Sequence, residues 1–195
     1  MPKLYFRHGP VGAAKTLNLL AVAHNYRQQG KRVRLLKPRL DTRFGAVTIR
    51  SRSGLELPAD VMVDGATVLD PAAFEGVHCV LVDEAQFLAP RVVDQLRELT
   101  RVAGTPVICY GLRTDFRGRL FAGARRLFEL ADSIEEIKVT CQFCNRKAIL
   151  NLKHAAGKAV TTGPTVELGA EDLYLPACYA CYVERAGRVA DGGDS

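Results

Sequence analysis

Eight residues near the start of the chain, Gly9, Pro10, Val11, Gly12, Ala13, Ala14, Lys15 and Thr16, nearly spell a phosphate-cradling loop. The pattern G-x-x-x-x-G-K-[ST] turns backbone N–H groups and a helix N-terminus toward phosphate oxygens. In that arrangement Lys15 contacts the β- and γ-phosphates, and the Thr16 hydroxyl ligates Mg²⁺. The match is imperfect. Ala14 stands where the pattern has its second glycine, and Gly12 lies two residues upstream. Taken alone, the segment reads equally well as a strand-to-helix turn whose glycines serve only geometry.

A second group narrows the choice. The run "CVLVDE" ends an apolar strand in Asp83 and Glu84. An aspartate at that strand end holds Mg²⁺, and in a parallel sheet it shares a face with the phosphate loop. Glu84, one residue on, is placed to take a proton from an attacking hydroxyl or water. Together the two groups point to a P-loop phosphotransferase or NTPase.

The third group is Cys141-x-x-Cys144 and Cys178-x-x-Cys181. Four thiolates in two pairs suit a tetrahedral zinc ion with no open position for catalysis. The long gap between the pairs requires a loop to emerge between them. Cys79 and Cys109 sit singly in apolar runs and read as buried small hydrophobes.

The elements that must carry these groups follow from periodicity. Strands are predicted at Lys3–Arg7, Arg32–Pro38, Val77–Glu84, Thr105–Leu112 and Ile134–Thr140. Helices are predicted at Thr16–Gly30, Arg91–Gly104 and Gly118–Asp132. Residues 39–68 are rich in loop signals and receive no assignment. Short apolar strands alternating with helices indicate an α/β domain with a mainly parallel sheet flanked by helices. From Cys141 onward the texture changes to short polar segments and turns. The expected organisation is a nucleotide-binding domain over 1–140, a small zinc-held domain over 141–188 and a frayed tail over 189–195.

The 195 residues are 48% hydrophobic and 25% charged, enough for a sizeable core. No apolar run approaches the roughly 20 residues that span a bilayer. The N-terminus carries no secretion signal, so a cytoplasmic protein without membrane partners is expected. A net charge of +6, scattered along the chain, suits phosphate-bearing ligands and reads chiefly as a solvated surface.

Several motifs also carry a family resemblance. "GPVGAAKT", "DTRFG", "LVDEAQFL", "CYGLRTDFRGRLF", the two cysteine pairs and Tyr174 together resemble the cytosolic, zinc-containing (type II) thymidine kinases, in order from about Leu4 to Tyr182. The resemblance implies phosphorylation of the thymidine 5′-hydroxyl by ATP, a RecA-like core, a zinc-held lasso domain and a homotetramer. It matches Glu84 to the general base and sets Asp83, Ala85 and Gln86 with it on the phosphate side. Asp41 and Arg43 match a further nucleotide-side motif. Leu112, Phe116 and Phe121 match the wall of the thymine pocket, with Phe87 and Val11 nearby. The loop of Thr165, Val166, Glu167, Leu168 and Gly169 matches a segment whose backbone grips the base, and Tyr174 an aromatic residue that closes over it. This chain departs from the family pattern at Ala14, and at Glu167 and Ala170 in the lasso.

Two other readings compete with ATP-dependent thymidine phosphorylation. One is a degenerate relative that binds nucleotides with weak or no turnover. The other is a RecA-like ATPase that contacts nucleic acid, although the scattered charge and lack of an aromatic-basic stripe count against nucleic-acid binding.

Overall fold

The computed structural model describes residues 1–165 and 173–188. Its first eight strands are β1 (Leu4–His8), β2 (Val33–Pro38), a short hairpin of β3 (Thr48–Arg50) and β4 (Glu56–Pro58), β5 (Val61–Val63), β6 (Cys79–Val82), β7 (Val107–Gly111) and β8 (Ser133–Glu136). Six of them form one sheet in the order β5-β2-β6-β7-β1-β8. Every pairing in it is parallel.

A parallel sheet needs apolar residues on both faces, and the strands supply them alternately. Leu35, Cys79, Leu81, Ile108 and Tyr110 face helix α1 (Lys15–Gln28), which contributes Leu19, Leu20 and Ala23. Leu4, Phe6, Leu36, Val80, Val82 and Cys109 face the other way, against α2 (Pro90–Val102) and α3 (Ala122–Leu130). Val92, Val93, Leu96 and Leu99 of α2 are fully buried, each stabilising the fold by about 1.5–3 kcal/mol relative to exposure.

Most expected bounds shift by one or two residues, as β6 does from 77–84 to Cys79–Val82; two shift further, each for a local reason. The helix expected from Gly118 begins at Ala122. The Asp115 carboxylate accepts the N–H groups of Arg117 and Arg119, both at 2.9 Å, and holds that segment as a turn. The strand expected to reach Thr140 ends at Glu136. There Ile137 N–H makes the last bond, to His8 O at 2.7 Å, before the chain leaves the sheet. The unassigned region 39–68 holds β3, β4 and β5, each of three residues and too short to show a period.

The C-terminal residues build a second, antiparallel sheet in the order β10-β9-β11, from β9 (Leu150–Ala155), β10 (Lys158–Ala159) and β11 (Tyr174–Ala177). Ala156 and Gly157 both have positive φ, 47° and 76°, as the tight turn between β9 and β10 demands. Helix α4 (Tyr179–Ala186) follows, and its Tyr182 packs on Leu150, Leu152 and Ala177. Tyr182 also donates its hydroxyl to Phe116 O at 2.6 Å, tying this unit to the loop after β7. Among the described residues no helix is long and apolar enough to cross a membrane.

Candidate active site

The parallel sheet brings the loops after β1, β6 and β7 to one edge, where open α/β sheets bind ligands. After β1, Gly9 N–H bonds Gly111 O at 3.3 Å, so the phosphate loop starts against the end of β7. Gly12 turns at φ 78° with open space around it. Ala14 precedes α1 in the left-handed region, φ 54° and ψ 29°, and no side chain caps the helix. The N–H groups at the start of α1 are therefore left for an anion. The Lys15 ammonium curls back across the loop, donating to Gly9 O at 2.9 Å and Pro10 O at 2.7 Å. Burial lowers its pKa to about 8.

Asp83 follows β6 and receives the Thr16 hydroxyl at 3.1–3.2 Å from its two oxygens. The two side chains expected to share a magnesium ion thus face each other. Burial, reinforced by the neighbouring Glu84 charge, raises Asp83 to about 7. Glu84 itself adopts a left-handed conformation, φ 49° and ψ 39°. For a residue other than glycine that backbone is costly, and such strain clusters at functional sites. Burial pushes the Glu84 carboxyl up, but the Arg43 guanidinium and Lys15 ammonium outweigh it and hold the pKa below the ordinary value.

Arg43 is the centre of a buried ion network. Its Nη2 lies 2.6 Å from Glu84 Oε1 and its Nε 2.6 Å from Asp41 Oδ1. Asp41 in turn meets the ammonium of Lys37 at 3.3 Å. Burial raises the Asp41 carboxyl, and Arg43 and Lys37 together more than reverse that. Gln86 completes the arrangement, donating to Glu84 Oε2 at 2.5 Å and accepting Leu112 N–H at 2.9 Å. The carboxylate of Glu84 is thereby ionised, oriented and 11% exposed.

A cleft of about 310 Å³ opens over these groups. Val11, Gly12, Ala13, Ala14, Lys15 and Thr16 of the loop line it, as do Arg43, Glu84 and Gln86. Phe87, Leu112, Phe116, Phe121, Thr165 and Tyr174 line it as well. Phe87 and Phe121 meet edge to face with ring centroids 5.6 Å apart. Phe116 is only 2% exposed, because Tyr174, at 6.4 Å, and the Lys153 ammonium, at 5.0 Å, pack around it. Clustered aromatic rings suit a flat ring, and the phosphate loop in the same cleft suits phosphate.

Five expected residues occupy supporting positions behind the lining. Gly9 and Pro10 are buried under the loop, Asp41 and Asp83 are 3% and 5% exposed, and Ala85 is fully buried. Val166, Glu167, Leu168 and Gly169 lie outside the described residues, as does the tail over 189–195. Sequence reasoning passed over Phe44, the stretch from Arg50 to Ser53, Thr114, Asp115 and Asn151, which also line the cleft. It also passed over Lys37, which is 1% exposed behind Asp41. Lys37 in "LLKP" and Asn151 in "ILNLKH" had a signal: a polar residue inside an apolar strand.

The four paired cysteines converge, with Cys141 and Cys178 packed on Ala148. All four sulfurs lie within 4.8 Å of one another. Two of the separations, from Cys144 to Cys178 and to Cys181, are 3.7 Å. A tetrahedron with metal–sulfur bonds of about 2.3 Å has an edge of about 3.8 Å, so the sulfur set fits zinc. Backbone N–H groups of Phe143 and Cys181 point at Cys141 and Cys178 sulfurs, at 3.4 and 3.5 Å. The Cys181 N–H bond holds the Cys178 thiol below its ordinary pKa, the direction a metal ligand needs.

Comparison with known proteins agrees with this geometry. The thymidine kinase family model matches residues 2–182. The chain is 44% identical over 180 residues to a thymidine kinase of Xanthomonas campestris pv. campestris, covering 90% of this chain and 86% of the relative. It is 39% identical over 184 residues to that of Streptococcus gordonii, covering 93% and 96%. The thymidine kinase of Encephalitozoon cuniculi is 40% identical over 185 residues, covering 93% and 87%. With a phosphate loop, an acidic strand end and clustered aromatic rings at one cleft, and the match running nearly end to end, the chain belongs to the thymidine kinase family.

Proposed function

We propose that this chain transfers the γ-phosphate of ATP to the 5′-hydroxyl of thymidine, with Glu84 as general base. One observation carries the reading. The ionised Glu84 carboxylate, fixed by Arg43 at 2.6 Å, lines the same cleft as the phosphate loop and the aromatic residues. ATP phosphates on the loop and thymine among the aromatic rings would bring the 5′-hydroxyl to that carboxylate. The 5′-oxygen attacks the γ-phosphorus in line, its proton passes to Glu84, and the bond to the β-phosphate oxygen breaks. Lys15 leaves its loop carbonyls to neutralise charge on the transferring group. Mg²⁺, when bound with ATP, neutralises further phosphate charge, and Thr16 and Asp83 are the side chains that would hold it. The family resemblance assigns the backbone of Thr165, Val166, Glu167, Leu168 and Gly169 to grip the base, and Tyr174 to close over it.

The same reading assigns zinc to Cys141, Cys144, Cys178 and Cys181, divides the chain into units 1–140 and 141–188, and makes the protein a cytoplasmic homotetramer. Binding without turnover is not favoured, because Lys15, Thr16, Asp83 and Glu84 all converge. A coupled assay with Mg·ATP across the nucleosides tests the proposal. Thymidine phosphorylation is expected, and Glu84→Gln should lower turnover by about 10²–10⁴-fold with thymidine binding retained. Folded, zinc-loaded protein that leaves thymidine unphosphorylated would sink it.

A further inference from the structure

Asn151 projects from β9, in the C-terminal unit, into the cleft of the other unit, and it is 3% exposed. Its Oδ1 accepts the Val11 N–H at 2.9 Å. Its Nδ2 donates to Thr114 O at 3.1 Å, in the loop after β7 that leads to Phe116. A side-chain amide has one oxygen acceptor and one nitrogen donor end, so these two bonds together fix which way it faces.

The Val11 N–H belongs to the same planar peptide unit as the Pro10 carbonyl. That carbonyl receives the Lys15 ammonium at 2.7 Å and the Ala13 N–H at 3.3 Å. One end of the peptide is therefore held by Asn151, and the other end holds the lysine and the turn of the phosphate loop. Rotation of this peptide would move the lysine's seat and the N–H groups that follow it.

We infer that Asn151 is a positioning residue through which the C-terminal unit sets the phosphate loop, by orienting the Pro10–Val11 peptide and hence Lys15. The nucleotide site is then composite: its loop lies in the α/β core and its brace in the cysteine-bearing unit. The inference takes the identity of the loop's ligand, Mg·ATP, from the kinase reading above. It makes a separate claim about what shapes the loop.

The test compares the full-length, zinc-loaded protein with its Asn151→Leu variant, which keeps the side-chain volume and removes both hydrogen bonds. Calorimetry with Mg·ATP and, separately, with thymidine reads the two ligands apart. The dissociation constant for Mg·ATP should rise about three- to tenfold, and that for thymidine by less than about twofold. Unchanged Mg·ATP affinity, or equal weakening of both ligands, overturns the inference, since a merely structural role would not single out the nucleotide. Should the variant fail to fold, amide hydrogen exchange of Val11 in the unaltered protein decides. Slow exchange is expected, and exchange at the rate of an exposed loop amide overturns it. The two readings fail separately. Protein that binds Mg·ATP through an Asn151-dependent loop but leaves thymidine unphosphorylated defeats only the kinase reading. An active kinase with an indifferent Asn151 defeats only this one.

Discussion

Arg43 lies 2.6 Å from Glu84 on one side and 2.6 Å from Asp41 on the other, so one guanidinium holds two carboxylates. Asp41 fixes where the arginine sits, and the arginine fixes the charge and direction of Glu84. Against burial, which raises it, Arg43 keeps the Glu84 carboxyl below its ordinary pKa. The Arg43→Met variant should therefore move the acidic limb of the kcat/KM profile upward by about one pH unit or more. An unmoved limb would mean that Arg43 does not tune this carboxylate.

Asp83 supplies the opposite case. Burial and the Glu84 charge raise its pKa to about 7, so the folded protein binds a proton there that the unfolded chain releases near pH 4. Between those two values the native state holds more protons, and its contribution to stability falls as pH rises. Denaturant melts of ligand-free protein should show this decline from about pH 4 to 7. In Asp83→Asn the decline should flatten, with higher stability at pH 7 and lost magnesium-dependent turnover. Parallel pH curves for the two proteins would rule out the assignment.

Ala14 occupies a left-handed conformation at φ 54°, which costs an ordinary L-residue about 1–2 kcal/mol. Ala14 also lines the cleft, at the loop position that the kinase reading gives to phosphate. Ala14→Gly relieves the strain and gives back about 0.5–1 kcal/mol in unfolded-chain entropy, so stability should rise by about 1 kcal/mol at most. The KM for ATP should fall severalfold. Ala14→Val, β-branched at the same φ, should lose both stability and nucleotide affinity. Identical ATP dependence in the glycine variant would show that the loop accommodates alanine without cost to binding.

Gly123 in α3 packs against the backbone turn that follows Glu84. A Cβ there would sit 2.6 Å from Ala85 O, 2.7 Å from Leu88 O and 2.9 Å from Gln86 O. None of these atoms can swing away, because they are backbone atoms of the turn Ala85–Phe87 and of Leu88, which caps it. Gly123→Ala should cost about 1–3 kcal/mol, and turnover should fall further than the loss of folded protein accounts for. A variant with normal stability and normal kcat would show that the turn can shift freely.

The Cys141/Cys144 and Cys178/Cys181 pairs, Lys15-Thr16 and Asp83-Glu84 are legible in the sequence for one reason. Each acts within a turn or two of chain, where covalent geometry already sets the distance between the groups. The apolar runs at β6 and β7 are legible because a strand buried on both faces has to be continuously hydrophobic. Arg43 is different. Its place was implied only by a family motif, and nothing in "DTRFG" shows that it crosses from the end of β2 to reach Glu84 beyond β6. That contact exists because β2 and β6 are neighbours in the sheet, with Leu36 paired to Val82.

What the sequence determined by itself is therefore the chemistry and the elements: a phosphate loop before a helix, carboxylates at a strand end, four thiolates and an alternating α/β order. Only the tertiary structure decided which distant residues brace that chemistry. Asn151 reaches back 140 positions to Val11, and the stretch from Arg50 to Ser53 joins the cleft wall through a hairpin whose strands are three residues each. Local backbone preferences decide short-range geometry. Contacts between remote segments depend on strand order and on the packing of both sheet faces, which are properties of the whole chain.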